Sequence, residues 1–192
     1  MKIFISGGVK NGKSTYAQRL AQAQKTDALY YIATMRPVDA EDDQRVARHQ
    51  KEREGWGFTT VEQPVDIEGI LAKCDLGGSF LLDSITALLA NEMFPHNGGI
   101  NENAAKKITG GLLKVLDSVK NIVIVSDYIY GDAELYDPLT EKYRRSLAEV
   151  DRMAAKNCDA VLEIAYTSVL VHKWQGGGGN DTDIRRLLSG QA

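Results

Sequence analysis

Short apolar runs alternate along the chain with longer stretches in which apolar residues recur every three or four positions. The short runs are rich in Ile, Val and Leu, which is typical of buried strands, while the longer periodic stretches are typical of amphipathic helices. Strands that alternate with helices form repeated strand–helix–strand units, and such units build a mainly parallel sheet with helices on its faces. The pattern therefore predicts an α/β fold.

The same pattern gives the bounds of the predicted elements. Strands are predicted at 2–6, 29–34, 79–83, 121–127, 160–166 and 168–173. Helices are predicted at 14–23, at about 42–53 and at 103–119, together with an apolar helix through Leu88 and Met93 and a long helix that follows Pro138 and ends near Asn157. Almost nothing separates the last two strands, so we expect them to form an antiparallel pair. Residues 1–173 are thus predicted to form one domain. Residues 174–192 contain four consecutive glycines and are predicted to form a flexible tail.

Composition narrows the class of protein. A chain of 192 residues is long enough to bury the core of one α/β domain. Its net charge of −3 does not favour binding to nucleic acid, which is itself negatively charged. Asp83 and Asn91 interrupt the longest apolar segment, so no membrane span is predicted. Cys74 and Cys158 fit neither a metal motif nor a disulfide framework. Together these features predict a cytoplasmic protein with reduced thiols.

Residues 7–15, GGVKNGKST, satisfy the pattern G-x-x-x-x-G-K-[ST]. They follow a predicted buried strand and open a predicted helix, which is the context that a phosphate-binding loop requires. The glycines let backbone N–H groups surround phosphates, and the helix N-terminus adds positive potential. Lys13 would reach the terminal phosphates and Ser14 would bind Mg²⁺. The predicted nucleotide site comprises Gly7, Gly8, Val9, Lys10, Asn11, Gly12, Lys13, Ser14 and Thr15.

A phosphate loop of this kind needs a carboxylate on a nearby strand to hold Mg²⁺, directly or through water. Asp83 is the preferred candidate because it ends a predicted strand, and open α/β sheets bind ligands at the carboxyl ends of their strands. Asp127, which ends the strand-like run NIVIVSD, is the alternative. Either residue could instead cap the helix that follows it. The chain has no N-K-x-D motif, which excludes a Ras-type GTPase.

A charged helix contains the second candidate for chemistry. Arg45, His49 and Arg53 are spaced four residues apart, so on a helix they share one face. Two guanidinium groups beside an imidazole would lower its pKa and keep it neutral, as a nucleophile requires. Arg45 and Arg53 could also clamp phosphate oxygens. From these residues alone, a solvated charged helix is the simpler interpretation.

Five segments in one order carry a resemblance to a known family. They are SGGVKNGKSTYAQRL, YIAT, RVARHQKER, TTVEQP after a tryptophan, and FLLDSITALLANEMF. Over roughly residues 1–173 their order and spacing resemble the bifunctional adenosylcobinamide kinase/adenosylcobinamide-phosphate guanylyltransferase family of cobalamin biosynthesis. The resemblance implies a RecA-like P-loop NTPase fold and a homotrimer. It also implies phosphorylation of adenosylcobinamide by ATP or GTP, and transfer of GMP from GTP to adenosylcobinamide phosphate through a guanylylated histidine.

The resemblance further implies roles for individual residues. The family's histidine falls on His49, which would be the nucleophile. It would act beside Lys13 of the phosphate loop, and the Mg²⁺ cofactor that this loop predicts would be held by Ser14 and Asp83. Guanine-nucleotide contacts would fall on Ala33, Thr34, Met35, Gln50, Lys51, Glu52, Arg53, Glu62 and Asp83.

The sequence departs from the family pattern in one loop. Where the family has N-E-V-G-x-G, this chain has SDYIYGDAELYDP, with Asp127 and Tyr128 at the positions of the Asn and Glu. Two alternatives follow from this departure. One is a small-molecule P-loop kinase that forms no covalent intermediate, and the other is a non-enzymatic, nucleotide-binding regulatory protein.

Overall fold

A computed structural model describes residues 1–37, 40–96, 98–166 and 168–175. Within the second helix it describes the backbone, but not the side chains, of Glu41, Asp42, Asp43, Arg45, His49 and Glu52. The predicted tail beyond Gln175 lies outside the described residues.

Seven strands and five α-helices make up the described chain. The strands are β1 (Lys2–Gly7), β2 (Leu29–Ala33), β3 (Thr59–Glu62), β4 (Ser79–Asp83), β5 (Asn121–Val125), β6 (Ala160–Ala165) and β7 (Ser168–Trp174). The helices are α1 (Lys13–Ala23), α2 (Ala40–Glu52), α3 (Ile85–Met93), α4 (Ala104–Ser118) and α5 (Pro138–Asn157), and a 3₁₀ helix spans Ile67–Ala72.

The strands form one sheet in the order β3-β2-β4-β5-β1-β6-β7. All neighbouring pairs are parallel apart from β6 and β7, which pair in antiparallel fashion. The predicted α/β class and the terminal antiparallel pair are therefore confirmed. Strand β7 extends through Trp174, which pairs with Ala160, so the sheet continues one residue past the predicted domain boundary.

Strand β3 is the element that the hydrophobic pattern missed. It has four residues and lies at the edge of the sheet, and Thr59, Thr60 and Glu62 are exposed. An edge strand has a neighbouring strand on one side only, and its side chains can be exposed on both faces of the sheet. Such a strand buries few side chains and therefore leaves no apolar run in the sequence.

Two apolar cores cover the two faces of the sheet. Helix α1 packs on one face, where Ala17 and Leu20 meet Ile5 and Leu81. Helices α3, α4 and α5 pack on the opposite face. Because side chains alternate along a strand, Asp83 projects to the same face as Leu81, which is the face that carries α1. This alternation directs Asp83 and the start of α1 to the same side of the sheet.

Candidate active site

The phosphate loop turns directly from β1 into α1. Gly12 has a φ of 88°, a left-handed conformation that glycine adopts without a steric penalty. The loop also closely approaches strand β6, since a Cβ atom on Gly7 would overlap the carbonyl oxygen of Ile164. The side-chain amide of Asn11 donates to the same carbonyl group. The loop is thus held at the carboxyl edge of the sheet, and its fold requires glycine at position 7.

Lys13 lies in this loop, and its ammonium group has two close partners and a longer contact of 3.4 Å with Oδ1 of Asn11. Its Nζ donates to the carbonyl oxygen of Gly8 at 2.6 Å, and it lies 2.8 Å from Oδ1 of Asp127. The Lys13 side chain is 5% exposed and that of Asp127 is 26% exposed. The pair therefore places one positive and one negative group side by side at the mouth of the loop.

Asp127 is fixed by the backbone on either side of it. Its own N–H donates to the hydroxyl of Thr86 at 2.9 Å, and the N–H of Tyr128 donates to the carbonyl oxygen of Gly7 at 2.9 Å. The chain after β5 is therefore attached both to α3 and to the phosphate loop. This geometry brings Asp127, which the sequence ranked second for Mg²⁺, next to the lysine of the loop.

The two candidate carboxylates are not helix caps. Helix α3 is capped by Ser84, whose hydroxyl accepts from the N–H of Ala87, and α5 is capped by Asp137. Neither Asp83 nor Asp127 serves in this role, so the helix-cap interpretation is wrong for both.

Asp83 lies farther from the phosphate loop than Asp127 does. Strand β5 separates β4 from β1, and neighbouring strands are about 4.8 Å apart, so β4 lies roughly 10 Å from β1 across the sheet. One strand, β5, therefore lies between Asp83 and the strand that leads into the phosphate loop. The carboxylate of Asp83 accepts a hydrogen bond from the hydroxyl of Tyr31 at 2.9 Å.

Arg53 directly follows the last residue of α2, and its side chain is 7% exposed. Its guanidinium carbon lies 3.7 Å from the ring centroid of Tyr31, and its Nη2 donates to the hydroxyl of Thr60 at 3.4 Å. One face of the predicted phosphate clamp is thus covered by an aromatic ring. The side chains of Arg45, His49 and Glu52 lie outside the described residues, although their backbone belongs to α2 as predicted.

The other residues predicted to contact the nucleotide differ in their exposure and in whether their polar groups already have partners within the protein. Thr34 is fully buried, and its hydroxyl donates to the carbonyl oxygen of Ser84 and accepts from the N–H of the same residue, at 2.8 and 2.7 Å. That hydroxyl therefore already donates and accepts hydrogen bonds within the protein. Ala33 pairs with Glu62 at the carboxyl ends of β2 and β3, and Glu62 is exposed. Met35 is half-buried, while Gln50 and Lys51 are exposed on α2.

An open cleft lies beside the end of α2. It has a volume of about 430 Å³ and is lined by Gln50, Arg53, Glu54, Gly55, Gly57, Phe58 and Thr60. Two of the predicted nucleotide contacts, Gln50 and Arg53, therefore line the same cleft.

Arg144 organises the loop in which the sequence departs from the family pattern. This α5 residue is 6% exposed, and its guanidinium donates to the carbonyl oxygen of Ile129 at 3.0 Å and to carboxylate oxygens of Asp132 and Glu141 at 2.7 and 2.5 Å. It also lies 4.6 Å from the ring centroid of Tyr136. Arg144 thus fixes the segment that runs from the Lys13 pair to the start of α5.

Asp151 supports the same loop from beneath. It is 2% exposed and accepts a hydrogen bond from the hydroxyl of Tyr130 at 3.0 Å. Burial, and to a lesser degree the nearby charge of Asp127, raise the pKa of Asp151 to about 7, while the hydroxyls of Ser126 and Tyr130 oppose the shift. A carboxyl group that titrates near neutral pH therefore lies behind the Lys13–Asp127 pair.

Neither Arg144 nor Asp151 was predicted as a site residue, although the sequence carries a signal for both. Both lie on the buried stripe of α5 together with Leu147 and Ala154. A charged residue at a position where the helical period demands an apolar one indicates a buried polar contact, because an unpaired charge there would be costly.

No group of three or more His, Cys, Asp or Glu side chains is placed to hold a metal ion by itself in the part of the chain that the structure describes. Within the same residues, no helix has both the length and the apolar character needed to cross a membrane.

Comparison with known sequences identifies similarity to one family. A family model described as cobinamide kinase / cobinamide phosphate guanyltransferase matches residues 3–168. The bifunctional adenosylcobalamin biosynthesis protein CobP of Pseudomonas aeruginosa is 36% identical over 92 residues, which cover 47% of this chain and 52% of that protein. The corresponding CobU protein of Escherichia coli is 31% identical over 99 residues, covering 51% and 53%. The chain spans about half the length of the curated relatives it matches.

Solved structures share the architecture at low sequence identity. One solved ATPase domain has a TM-score of 0.51 at 13% identity, covering 92% of this chain and 78% of that one. A KaiC-like protein from Pyrococcus horikoshii has a TM-score of 0.50 at 13% identity, covering 91% and 80%. At these identities the likeness shows the fold alone, and it confirms the expected RecA-like P-loop architecture.

Proposed function

Because the chain belongs to the cobinamide kinase / cobinamide phosphate guanyltransferase family, we propose that it carries out both reactions. It phosphorylates the hydroxyl group of adenosylcobinamide, and it then transfers GMP from GTP to the resulting phosphate. We also expect a cytoplasmic homotrimer. The observation that carries the proposal is that the family match spans both the phosphate loop with the Lys13–Asp127 pair and the helix that bears His49.

The phosphate loop supplies the first reaction. Its backbone N–H groups and the start of α1 bind the phosphates of ATP or GTP, and Lys13 neutralises charge on the transferred phosphoryl group. The substrate hydroxyl attacks the γ-phosphorus while the bond to the β-phosphate oxygen breaks. The hydroxyl proton needs an acceptor beside the transferred phosphoryl group, and we assign this role to Asp127, whose Oδ1 lies 2.8 Å from Nζ of Lys13.

His49 supplies the second reaction. Its neutral imidazole attacks the α-phosphorus of GTP, a nitrogen–phosphorus bond forms, and pyrophosphate leaves. A phosphate oxygen of adenosylcobinamide phosphate then attacks the same phosphorus, and the bond to His49 breaks. Arg45 and Arg53 balance negative charge in both steps. The open cleft that Gln50 and Arg53 share at the end of α2 supports nucleotide binding beside this helix.

Mg²⁺ fits the oxygen donors that the site offers. This ion is commonly bound by one or two carboxylates together with substrate phosphates and water, and not by a cage of protein ligands alone. The Ser14 hydroxyl and the Asp83 carboxylate would hold it, Asp83 through water. When bound, Mg²⁺ neutralises phosphate charge and orients the nucleotide.

Phosphorylation of adenosylcobinamide by ATP or GTP labelled on the γ-phosphate tests the first reaction. We expect label to enter the corinoid with the wild type, and turnover to be lost in Lys13→Ala. Lys106→Ala, which changes an exposed lysine on α4, is the matched control and should retain turnover. A wild type that binds nucleotide yet phosphorylates nothing would contradict this half and favour the regulatory alternative.

A further inference from the structure

Tyr31 connects two residues that the proposed function uses. Its hydroxyl donates to Oδ2 of Asp83 at 2.9 Å, and its ring carries the guanidinium of Arg53 at 3.7 Å from the centroid. Phe58 contacts the ring edge-to-face, with 6.1 Å between the centroids. The Tyr31 side chain is 5% exposed, so these neighbours hold it in one orientation.

The partner of the hydroxyl distinguishes Tyr31 from an ordinary core tyrosine. A buried tyrosine needs a hydrogen-bond partner, and a backbone group usually suffices. The half-buried Tyr30 makes such a contact, because its hydroxyl accepts from the N–H of Asp75 at 3.0 Å, before β4 begins. Tyr31 instead donates to the carboxylate of Asp83, which lies at the opposite, carboxyl end of β4.

We infer that Tyr31 is a positioning residue of the nucleotide site, which orients the Asp83 carboxylate and links it through Arg53 to the end of the helix that bears His49. The inference rests on the proposed function, in which Asp83 faces the Mg²⁺–nucleotide complex. A hydrogen bond to Oδ2 restricts the rotation of the Asp83 carboxylate and leaves Oδ1 as the oxygen that would face the proposed Mg²⁺–nucleotide complex. Residues that orient metal-binding groups in this way commonly change metal affinity by about 10-fold or more when they are removed.

Arg53 adds to this arrangement. A cation over the face of a phenol ring is attracted to the ring, and it withdraws electron density from the hydroxyl, which makes the hydroxyl a better donor. Any movement of the end of α2 would therefore be transmitted to the hydrogen bond on Asp83. The described contacts thus connect Asp83, through Tyr31, to Arg53 at the end of the helix that bears His49.

The test measures GTP binding by calorimetry over a series of Mg²⁺ concentrations, using the wild type, Tyr31→Phe, Tyr30→Phe and Asp83→Asn. Tyr31→Phe retains the ring beneath Arg53 and removes only the hydroxyl. We expect it to raise the Mg²⁺ concentration for half-maximal effect by about 10-fold, and to leave GTP affinity at saturating Mg²⁺ within about 2-fold of the wild type. Tyr30→Phe, the matched loss of a hydroxyl elsewhere, should leave the Mg²⁺ dependence unchanged.

A second variant tests the link to α2. Tyr31→Leu also removes the ring on which Arg53 lies, so it should slow labelling of the protein by GTP carrying label on the α-phosphate, even at saturating Mg²⁺. Tyr31→Phe should retain that labelling rate within about 2-fold, because the ring contact survives. Thermal unfolding of each variant shows whether it is folded under the assay conditions.

The outcomes distinguish a failure of the positioning role of Tyr31 from a failure of the proposed function. If Asp83→Asn shifts the Mg²⁺ dependence while Tyr31→Phe behaves like Tyr30→Phe, the positioning role is overturned and the proposed function stands. If GTP binding to the wild type does not respond to Mg²⁺ at all, the proposed role of Asp83 fails, and the inference fails with it.

Discussion

The Lys13 ammonium group and the Asp127 carboxylate form an ion pair with 2.8 Å between Nζ and Oδ1, at the point where the phosphate loop meets the chain that leaves β5. The carboxylate therefore competes with phosphate oxygens for the same lysine. It also adds negative charge beside any nucleotide that binds in the loop.

Replacing this carboxylate by an amide should tighten nucleotide binding. Asp127→Asn, which introduces the residue that the family pattern has here, removes both the competition and the repulsion. We expect the dissociation constant for GTP to fall by roughly 3- to 10-fold at low salt, and by less at high salt because of screening. Calorimetry at two ionic strengths measures the effect, with Asp117→Asn at an exposed position of α4 as the control. Weaker binding in Asp127→Asn would show that the carboxylate helps to hold the nucleotide complex.

The close approach of Gly7 to β6 predicts a large difference between adjacent glycines. In Gly7→Ala the new methyl group would overlap the Ile164 carbonyl oxygen, whereas nothing lies within 4 Å of a Cβ atom on Gly8. We expect Gly7→Ala to lower the free energy of unfolding by about 2 kcal/mol, and Gly8→Ala to change it by less than about 1 kcal/mol. Urea unfolding of both variants provides the measurement. Equal stabilities would contradict the described packing of the loop against β6.

The buried carboxyl of Asp151 predicts that stability depends on pH in an unusual direction. Its pKa rises from 3.8 to about 7 on folding, mainly because burial disfavours the charged form. Between these two values the folded state holds a proton that the unfolded state has lost, so this group makes the folded state less stable as pH rises from about 4 to 7. The loss is at most about 4 kcal/mol.

Asp151→Asn removes this dependence. The variant should gain stability over the wild type as pH rises from 5 to 8, because an amide can still accept the hydrogen bond from Tyr130 and carries no charge. Urea unfolding of both proteins at the two pH values gives the difference. If the gap between them stays constant with pH, then Asp151 does not titrate in this range.

Arg144 should be required for the order of the loop between Asp127 and α5. Arg144→Met keeps most of the side-chain volume but removes the donors to Ile129, Asp132 and Glu141. We expect a loss of about 2 kcal/mol in the free energy of unfolding and faster proteolytic cleavage within residues 128–137. Arg145→Met, at the exposed neighbouring position, is the control. Unchanged cleavage in Arg144→Met would contradict the anchoring role.

The features of the fold that depend on neighbouring residues in the sequence were predicted correctly. Buried strands such as Ser79–Asp83 and the glycine loop before α1 were predictable, because apolar runs and loop chemistry depend on neighbouring residues. Strand β3 was not, since an exposed edge strand leaves no apolar pattern.

The contacts of single side chains were harder still to predict. Arg53 lies on the ring of Tyr31, and Asp127 pairs with Lys13. Both contacts depend on the order of β2, β4, β5 and β1 in the sheet. Strand order is a long-range property that spacing along the chain does not reveal. Family membership, by contrast, was predictable from motif order, and the family match confirms it.

The most direct test of the account is covalent labelling of His49. The wild type is incubated with Mg²⁺ and GTP labelled on the α-phosphate, then denatured and separated from free nucleotide, beside His49→Ala and His172→Ala. His172 is an exposed residue of β7 that pairs with Glu163. We predict acid-labile label on the wild type and on His172→Ala, no label on His49→Ala, and release of the label when adenosylcobinamide phosphate is added. A folded wild type that binds GTP and retains no label, or a His49→Ala variant that labels as well as the wild type, would contradict the account.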